Sequence, residues 1–419
     1  MNEIIQNVNF ALLIVFSCCY AYQMVYLIVG LVKKDRPETL PAQPHRFAVL
    51  IPARNEEMVI SGLIDSIHRQ DYPAELIDIY VIADNCTDST AARAIECGAK
   101  VIARFNNQQV GKGYALDYAL KHIDHEVGLE YYDAFLVFDA DNVLDTGYFT
   151  AMNKTFSQGY DILTSYRNSK NYGTNWITAG YALWFLRESR YLNHARFLLG
   201  TSCAVSGTGF FFSQRILEKN GGWKFHLLTE DIEFTVHNII NGEKVGFCPK
   251  AVLYDEQPIS FRQSCRQRMR WAKGYIQVFQ KYGVDLLKGA LRGNFSCFDM
   301  AMAIMPAVVL TTICVLVNSV MSVLTLASGG SILPILLSVG QSVLNVYLTL
   351  FAVGAITTVT EWKNIAASAW KKIFYAFTFP LFMLTYIPIS FAALFAHVEW
   401  KPIEHSVSVS CEELWREGA

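Results

Sequence analysis

Asp139 and Asp141 stand two residues apart in Phe138-Asp139-Ala140-Asp141-Asn142, where the apolar run Ala134–Asp139 (AFLVFD) gives out. Carboxylates at that spacing are hard oxygen ligands suited to Mg2+ or Mn2+, and such an ion neutralises a nucleotide diphosphate. A solvated turn is the plainer alternative. A further carboxylate, Asp84, ends the run Asp78–Asp84 (DIYVIAD), and Cys86-Thr87-Asp88-Ser89 after it reads as a helix start with Thr87 or Asp88 as N-cap. Asp84 precedes that cap and can accept hydrogen bonds from a base or a ribose. Gln109-Val110-Gly111-Lys112-Gly113 opens another helix, so backbone N–H groups and the Lys112 ammonium offer a phosphate contact, although the spacing is not that of a P-loop. Leu228-Thr229-Glu230-Asp231-Ile232-Glu233 brings three acids to a helix start. One acid there is ordinary complementation of the helix dipole, whereas three offer a general base for a hydroxyl that attacks an activated sugar carbon. Arg266-Gln267-Arg268-Met269-Arg270-Trp271 reads two ways: as charge that meets lipid headgroups, or as guanidinium forks for a diphosphate beside a flat indole for a sugar ring.

Positioning these groups falls to alternating strands and helices. Arg46–Pro52 (RFAVLIP) reads as a buried strand, Met58–Arg69 has helical spacing and Asp78–Asp84 is a second strand. A helix near Ser89–Cys97, a short strand near Val101–Phe105, a helix from Gly113 toward Ile123 and the strand Ala134–Asp139 continue the pattern. The alternation predicts a mostly parallel, doubly wound sheet, whose ligands bind outside the carboxyl ends of strands, where Asp84 and Asp139 stand.

Composition sets this layer beside a membrane. The 419 residues are 52% hydrophobic and 17% charged, and residues 4–32, 300–360 and 373–396 contain no Asp, Glu, Lys or Arg. The first run, about Asn9 to Val32, is followed by Lys33, Lys34 and Arg36, which is the wrong order for a cleaved signal and places residues 33–297 in the cytosol by the positive-inside rule. Apolar runs at about 299–326, 331–358 and 373–397 follow, with Lys363, Lys371 and Lys372 between the last two. The last run carries Pro380 and Pro388, so either it crosses and leaves the tail Glu399–Ala419 outside, or it is re-entrant and the tail returns. The stretch Glu399–His405 is a segment folded back on the site or an interfacial anchor. A net charge of −2 excludes nucleic-acid binding by bulk charge, and ten cysteines with no C-x-x-C pair give neither a zinc framework nor a secreted disulfide scaffold. Charge-free membrane runs also argue against a transporter.

In order along the chain, Ile51-Pro52-Ala53-Arg54-Asn55-Glu56, Asp84, Asp139-Ala140-Asp141, Thr229-Glu230-Asp231 and Gln267-x-x-Arg270-Trp271 resemble the motifs of processive family 2 membrane glycosyltransferases, the group of cellulose, β-glucan, hyaluronan, chitin and poly-N-acetylglucosamine synthases. The likeness runs from about Phe47 to Tyr275. It implies an α/β cytosolic GT-A domain, Rossmann-like with a mostly parallel sheet, inserted between transmembrane helices. The expected division is a transmembrane helix in 1–36, the GT-A domain in 37–275, an amphipathic interface segment in 276–298, a membrane region in 299–397 and a tail in 398–419.

The resemblance further implies that Pro52, Ala53, Arg54, Glu56 and Asp84 hold the uridine, and that Asp139 and Asp141 take the diphosphate and a Mg2+ or Mn2+ ion. Asp231 would be the catalytic base with Glu230 beside it. Gln267, Arg270 and Trp271 would close over the diphosphate and support the acceptor sugar, with Lys112 as a further diphosphate contact. Val205-Ser206-Gly207-Thr208-Gly209-Phe210 resembles the segment that lines the acceptor site, which points to Thr208 and Gly209. The implied activity is inverting, metal-dependent hexosyl transfer from a UDP-sugar onto a growing polysaccharide that is exported, with UDP-glucose and a 1,4 or mixed 1,3;1,4 β-glucan as first choice. UDP-N-acetylglucosamine as donor, or a single transfer to a lipid acceptor, are the alternatives. The implied place is the plasma membrane, multi-pass, with the catalytic domain in the cytosol. A bundle this small leaves the channel to be completed by homo-oligomerisation or a partner.

Overall fold

The computed structural model describes residues 2–34, 40–399, 405 and 413. Its strands are β1 (Phe47–Ala53), β2 (Ile77–Asp84), β3 (Lys100–Arg104), β4 (Ala134–Val137), β5 (Val143–Leu144), β6 (Ile162–Ser169), β7 (Phe210–Ser213) and β8 (Val245–Asp255). They form one sheet in the order β3-β2-β1-β4-β7-β6-β8-β5. β1 pairs in parallel with β2 on one side, Phe47 opposite Ile77, and with β4 on the other, Phe47 opposite Ala134. β2 and β3 are parallel, as are β6 and β8, while β7 runs antiparallel between β4 and β6. This is the mostly parallel GT-A arrangement.

Both faces of the sheet are covered, which explains why β1 is apolar throughout instead of alternating. Ala48 and Leu50 pack on one face with Leu116, Leu120 and Ile123 of the helix Lys112–Val127. Phe47, Val49 and Ile51 pack on the other with Leu63, Ile64 and Ile67 of the helix Ile60–His68. Chain order reverses between β1 and β4, so a crevice opens at the carboxyl ends of β1, β2 and β4. Asn55 and Asn85, just beyond β1 and β2, have φ of 59° and 54°. Asparagine tolerates this left-handed region better than most residues, and both side chains are used: Thr87 N–H donates to Asn55 Oδ1 at 2.8 Å and Asn106 N–H to Asn85 Oδ1 at 2.9 Å. The loops at the crevice rim are thereby tied to one another.

The N-terminal apolar segment differs from the single run expected over 9–32. It is two helices, Asn2–Tyr20 and Tyr22–Val32, and the apolar parts meet at 41°. The bend suits the reach of Tyr22 and Tyr26, whose hydroxyls donate to Asp299 at 2.8 and 2.6 Å. Leu333–Thr360 and Ala369–Phe395 are long and apolar enough to cross a membrane, and the bent pair makes a third span if counted as one. Thr312–Ala327 is a shorter apolar stretch of the helix Pro306–Ala327. In the last apolar segment the helix Ala369–Leu384 contains Pro380 and gives way at Thr385 to Tyr386–Phe395. The helix Trp176–Arg187 packs against this segment through Gly180, where a Cβ would stand 2.3 Å from Phe382 Cγ. The helix Phe261–Leu291 carries the Q-x-x-R-W residues and continues unbroken past residue 275, followed by Phe295–Ile304.

Asp299 is fully buried and accepts from Arg196 Nε at 2.7 Å and Nη2 at 2.9 Å as well as from the two tyrosines. The helices Tyr22–Val32, His194–Leu199 and Phe295–Ile304 therefore meet at one buried ion pair. Asp299→Ala leaves the Arg196 guanidinium buried without its counter-charge, a loss of about 3–5 kcal/mol. The expected outcome is a clearly lowered melting temperature of the full-length protein in detergent, and an unchanged one would show that the pair does not join these elements.

Candidate functional site

The crevice at the switch point is lined by Pro52, Ala53, Arg54, Glu56 and Asp84 from the first two strand ends, by Lys112, Asp139 and Asp141, by Glu230 and Asp231, and by Gln267, Arg270 and Trp271. All of these were expected from the sequence. They arrive in small groups on separate elements. β1 runs into the loop with Arg54 and Glu56, and β2 ends at Asp84. Lys112 is the first residue of its helix, and Glu230 and Asp231 open the helix Glu230–Ile240.

Asp84 is held more firmly than the sequence indicated. Arg104, at the end of β3, donates from Nη1 to Asp84 Oδ1 at 2.6 Å and from Nη2 to the Gln109 carbonyl at 2.6 Å, with both charged side chains almost fully buried. Burial raises the Asp84 carboxyl and Arg104 opposes that rise. One carboxylate oxygen is thus committed to the protein, and the loop leading to Lys112 is fixed by the same guanidinium.

The acids two apart face different supports. Lys112 Nζ reaches Asp139 Oδ1 at 2.6 Å and the Gly207 carbonyl at 2.7 Å. Burial pushes the Asp139 carboxyl up, but Lys112 and then Arg167 hold it below the ordinary Asp value. Asp141 Oδ2 accepts from Glu256 N–H at 2.7 Å. Among the described residues no cluster of three or more His, Cys, Asp or Glu forms a cage for a metal. Two carboxylates opening on a crevice suit a Mg2+ or Mn2+ ion that completes its shell with substrate phosphate and water, because these ions keep few protein ligands.

Asp231 Oδ2 accepts from Gly207 N–H at 2.6 Å. Burial raises the Asp231 carboxyl, and burial together with the neighbouring Asp231 charge pushes Glu230 up to about 7. A carboxylate held as far above the usual range of about 4 as Glu230 is matched to proton transfer near neutrality. Trp271 stands edge-on to Tyr181 and Phe185, with ring centroids 5.8 and 6.2 Å away. Gln267 Oε1 and Arg270 Nε are buried with no hydrogen-bond partner among the described residues, although both line the crevice. Buried polar atoms are normally paired, so these two mark where a polar ligand belongs.

Thr208 and Gly209 lie elsewhere than expected. Thr208 is buried behind the crevice wall, accepting from Asp139 N–H at 2.9 Å and donating to Asn142 Oδ1. Gly209 continues the sheet through its N–H to the Val137 carbonyl, and a Cβ there would stand 1.9 Å from Leu253. It is Gly207 of this segment that lines the crevice.

The crevice also contains residues that the motif reading passed over: Arg167 at the end of β6, and Asp255 and Glu256 at the end of β8. The rule that singled out Asp84, a polar residue ending a strand, fits the position of Asp255 at the end of β8, whereas Arg167 sits within the polar half of β6 and Glu256 lies just past β8. His405 lies here too, with Nδ1 2.9 Å from Glu56 Oε2. Burial lowers its pKa, but Asp141 and Glu56 outweigh that and raise it to about 10, so the ring is cationic. Trp400–Glu404 of the expected tail segment lie outside the described residues.

Residues 44–274 match the family described as Glycosyltransferase like family 2. The chain is 27% identical to the probable glycosyltransferase YdaM of Bacillus subtilis over 61% of its own length and 60% of that protein. It is 25% identical to the beta-monoglucosyldiacylglycerol synthase of Synechocystis over 56% of this chain and 48% of the relative, and 26% identical to cellulose synthase 1 of Komagataeibacter xylinus over 64% and 17%. The chain therefore spans less than two thirds of the length of each. In fold it is similar to the mannosyltransferase PcManGT from Pyrobaculum calidifontis, solved with GDP-Man and Mn2+, with a TM-score of 0.56 at 15% identity over 92% of this chain and 97% of the other. With the sheet, the crevice residues other than His405 and more than half of its length falling inside the matched segment, the chain belongs to glycosyltransferase family 2.

Proposed function

We propose that the protein is a membrane-embedded, inverting, processive glycosyltransferase that polymerises a β-linked polysaccharide from a UDP-sugar, with UDP-glucose and a 1,4 or mixed 1,3;1,4 β-glucan as first choice. One observation carries the reading: Gln267, Arg270 and Trp271 open on the same crevice as Asp139, Asp141 and Asp231, with polar atoms of Gln267 and Arg270 left unpaired. A donor diphosphate at the paired acids and an acceptor hydroxyl at Asp231 would then meet at one sugar carbon. Asp231 takes the proton from the acceptor hydroxyl as its oxygen bonds to C1, and the bond from C1 to the diphosphate breaks on the opposite side, releasing UDP and inverting C1. Arg270 and Lys112 offset the charge that gathers on the leaving diphosphate. A Mg2+ or Mn2+ ion held by Asp139 and Asp141 would add its own neutralising charge there. Pro52, Ala53, Arg54, Glu56 and Asp84 hold the nucleoside. The apolar helices flanking the domain support a plasma-membrane location with a cytosolic site.

A second reading, one hexosyl transfer to a lipid acceptor, is favoured by the likeness to a beta-monoglucosyldiacylglycerol synthase. UDP release by the purified protein with Mg2+ or Mn2+, from UDP-glucose and UDP-N-acetylglucosamine in turn, separates the readings. Long product from UDP-glucose that a β-glucanase digests supports the polymerase, product from the N-acetyl donor alone changes the polymer, and sugar found only on added lipid favours the single-transfer enzyme.

Asp231→Asn is expected to lower kcat by about 10²–10⁴-fold while UDP affinity stays within a few-fold, since a base acts on the acceptor. An equal loss of nucleotide affinity in a titration would refute that role. Asp141→Asn is expected to weaken Mn2+-dependent UDP binding by about tenfold or more, checked by calorimetry with and without the ion. The base must be deprotonated, and Glu230 and Asp231 are both raised, so kcat/KM is expected to fall as pH drops through the region between about 7 and the ordinary carboxylate range. A kcat/KM that stays flat down to about pH 4.5 would contradict it.

A further inference from the structure

We propose that Arg167 and Asp255 form the pair that reads the hydroxyls of the donor hexose, and so set which sugar this enzyme transfers. The inference rests on the glycosyltransferase reading above. With the diphosphate at Asp139 and Asp141 and the attacking hydroxyl at Asp231, C1 lies between them, and the rest of the ring must lean on the wall that joins the two. That wall contains Gly207, Arg167 and Asp255.

The pair is built to present polar atoms to a ligand. Arg167 donates from Nε to Asp255 Oδ2 at 2.6 Å, its Nη2 meets the same oxygen, and its Nη1 donates to the Ser206 carbonyl at 3.0 Å. A guanidinium carries five N–H groups, so these bonds leave donors over. Asp255 Oδ1 accepts from Gln257 Nε2 at 2.6 Å, and a carboxylate oxygen has room for a second donor. The guanidinium lies over the Phe185 ring, 3.6 Å from its centroid, which fixes its plane. A strand tie alone would not need this charge, because β6 and β8 are already joined by their parallel ladder.

The strand also explains why Arg167 is steady. Successive side chains of a strand point to opposite faces. Tyr166 donates to Glu361 at 2.5 Å and Asn168 Nδ2 to the Asn364 carbonyl at 2.7 Å, so β6 is anchored from behind by the connection between Leu333–Thr360 and Ala369–Leu384. Arg167, between them, is held toward the crevice. Gly207 adds to this: a Cβ there would stand 3.8 Å from Arg167 Nη1 and 4.0 Å from Asp231 Oδ2, so the reading pair and the base flank one residue.

The N–H groups that Arg167 has left over can meet ring hydroxyls and Asp255 Oδ1 can accept one more, and an epimer with one hydroxyl turned away leaves one of these groups unpaired. Sites that hydrogen-bond a substrate hydroxyl discriminate strongly against analogues that lack it.

The test uses the full-length protein in detergent. kcat/KM is measured for UDP-glucose, UDP-galactose, UDP-N-acetylglucosamine and UDP-xylose with wild type, Arg167→Lys and Asp255→Asn, and UDP affinity is measured by calorimetry. The expected result is a ratio between the preferred donor and its epimer that collapses by about tenfold or more in both variants, with UDP affinity within about threefold of wild type. Ratios unchanged while all donors slow together would overturn the inference and make the pair a structural tie. A matching loss of UDP affinity with unchanged ratios would overturn it in favour of a diphosphate contact. If Arg167→Lys binds no UDP because it misfolds, the ratio in Asp255→Asn decides by itself. A wild-type protein that neither binds UDP nor turns over any UDP-sugar would instead defeat the reading beneath, and this inference with it.

Discussion

The loop Ser206–Gly209 holds the site together through its backbone and the Thr208 hydroxyl. Gly207 N–H reaches Asp231, its carbonyl receives Lys112, the Ser206 carbonyl receives Arg167, and Thr208 Oγ1 receives the N–H of Asp139. Asp231, Lys112, Arg167 and Asp139 are all positioned against one short segment. Gly207 and Gly209 have φ of 76° and 62°, a region in which a side chain is strained, and Gly209 has no room for a Cβ in any case. Such a loop cannot shift for one partner without moving the others, because each polar group it satisfies is in a setting where an unpaired bond is expensive.

The membrane side is coupled to this centre by two routes. The helix Phe261–Leu291 carries Gln267, Arg270 and Trp271, and its buried Arg268 donates from Nη1 to Thr385 Oγ1 at 2.6 Å and to the Phe382 carbonyl at 3.1 Å, at the break in the last apolar segment. β6 is the second route, through Glu361 and Asn364. Glu233 makes a third link within the domain: fully buried, it accepts from the N–H groups of His226 and Leu227 and from Lys281, so the loop before Asp231 is pinned to the same helix. For the proposed reaction, in which C1 must meet a hydroxyl in line, rigid joints of this kind would hold the geometry within the small tolerance that such a transfer needs.

Much of the crevice lining was legible in the chain. Asp84 and Asp139 could be placed at strand ends because the strands before them are apolar and short, and the rule about carboxyl ends needs only that. The acids after Leu228 could be placed at a helix start from their spacing alone. Arg104, Arg167 and Asp255 were not placed, because their meaning lies in partners 20 and 88 residues away in sequence, and no local pattern encodes such a pairing. Thr208 and Gly209 were assigned to the crevice from a likeness of sequence, whereas backbone direction decides which of three neighbouring residues faces it.

By itself the sequence determined the alternation of strands and helices, the positions of the apolar segments and the types of group available for chemistry, since these follow from hydropathy, period and charge along the chain. Tertiary structure alone decided that β7 enters antiparallel between β4 and β6, that the first apolar run bends where its tyrosines reach Asp299, and that His405 comes to rest against Glu56. The reason is the same in each case: these are long-range pairings of buried polar groups and backbone edges, whose energy depends on where distant segments meet and not on the residues beside them.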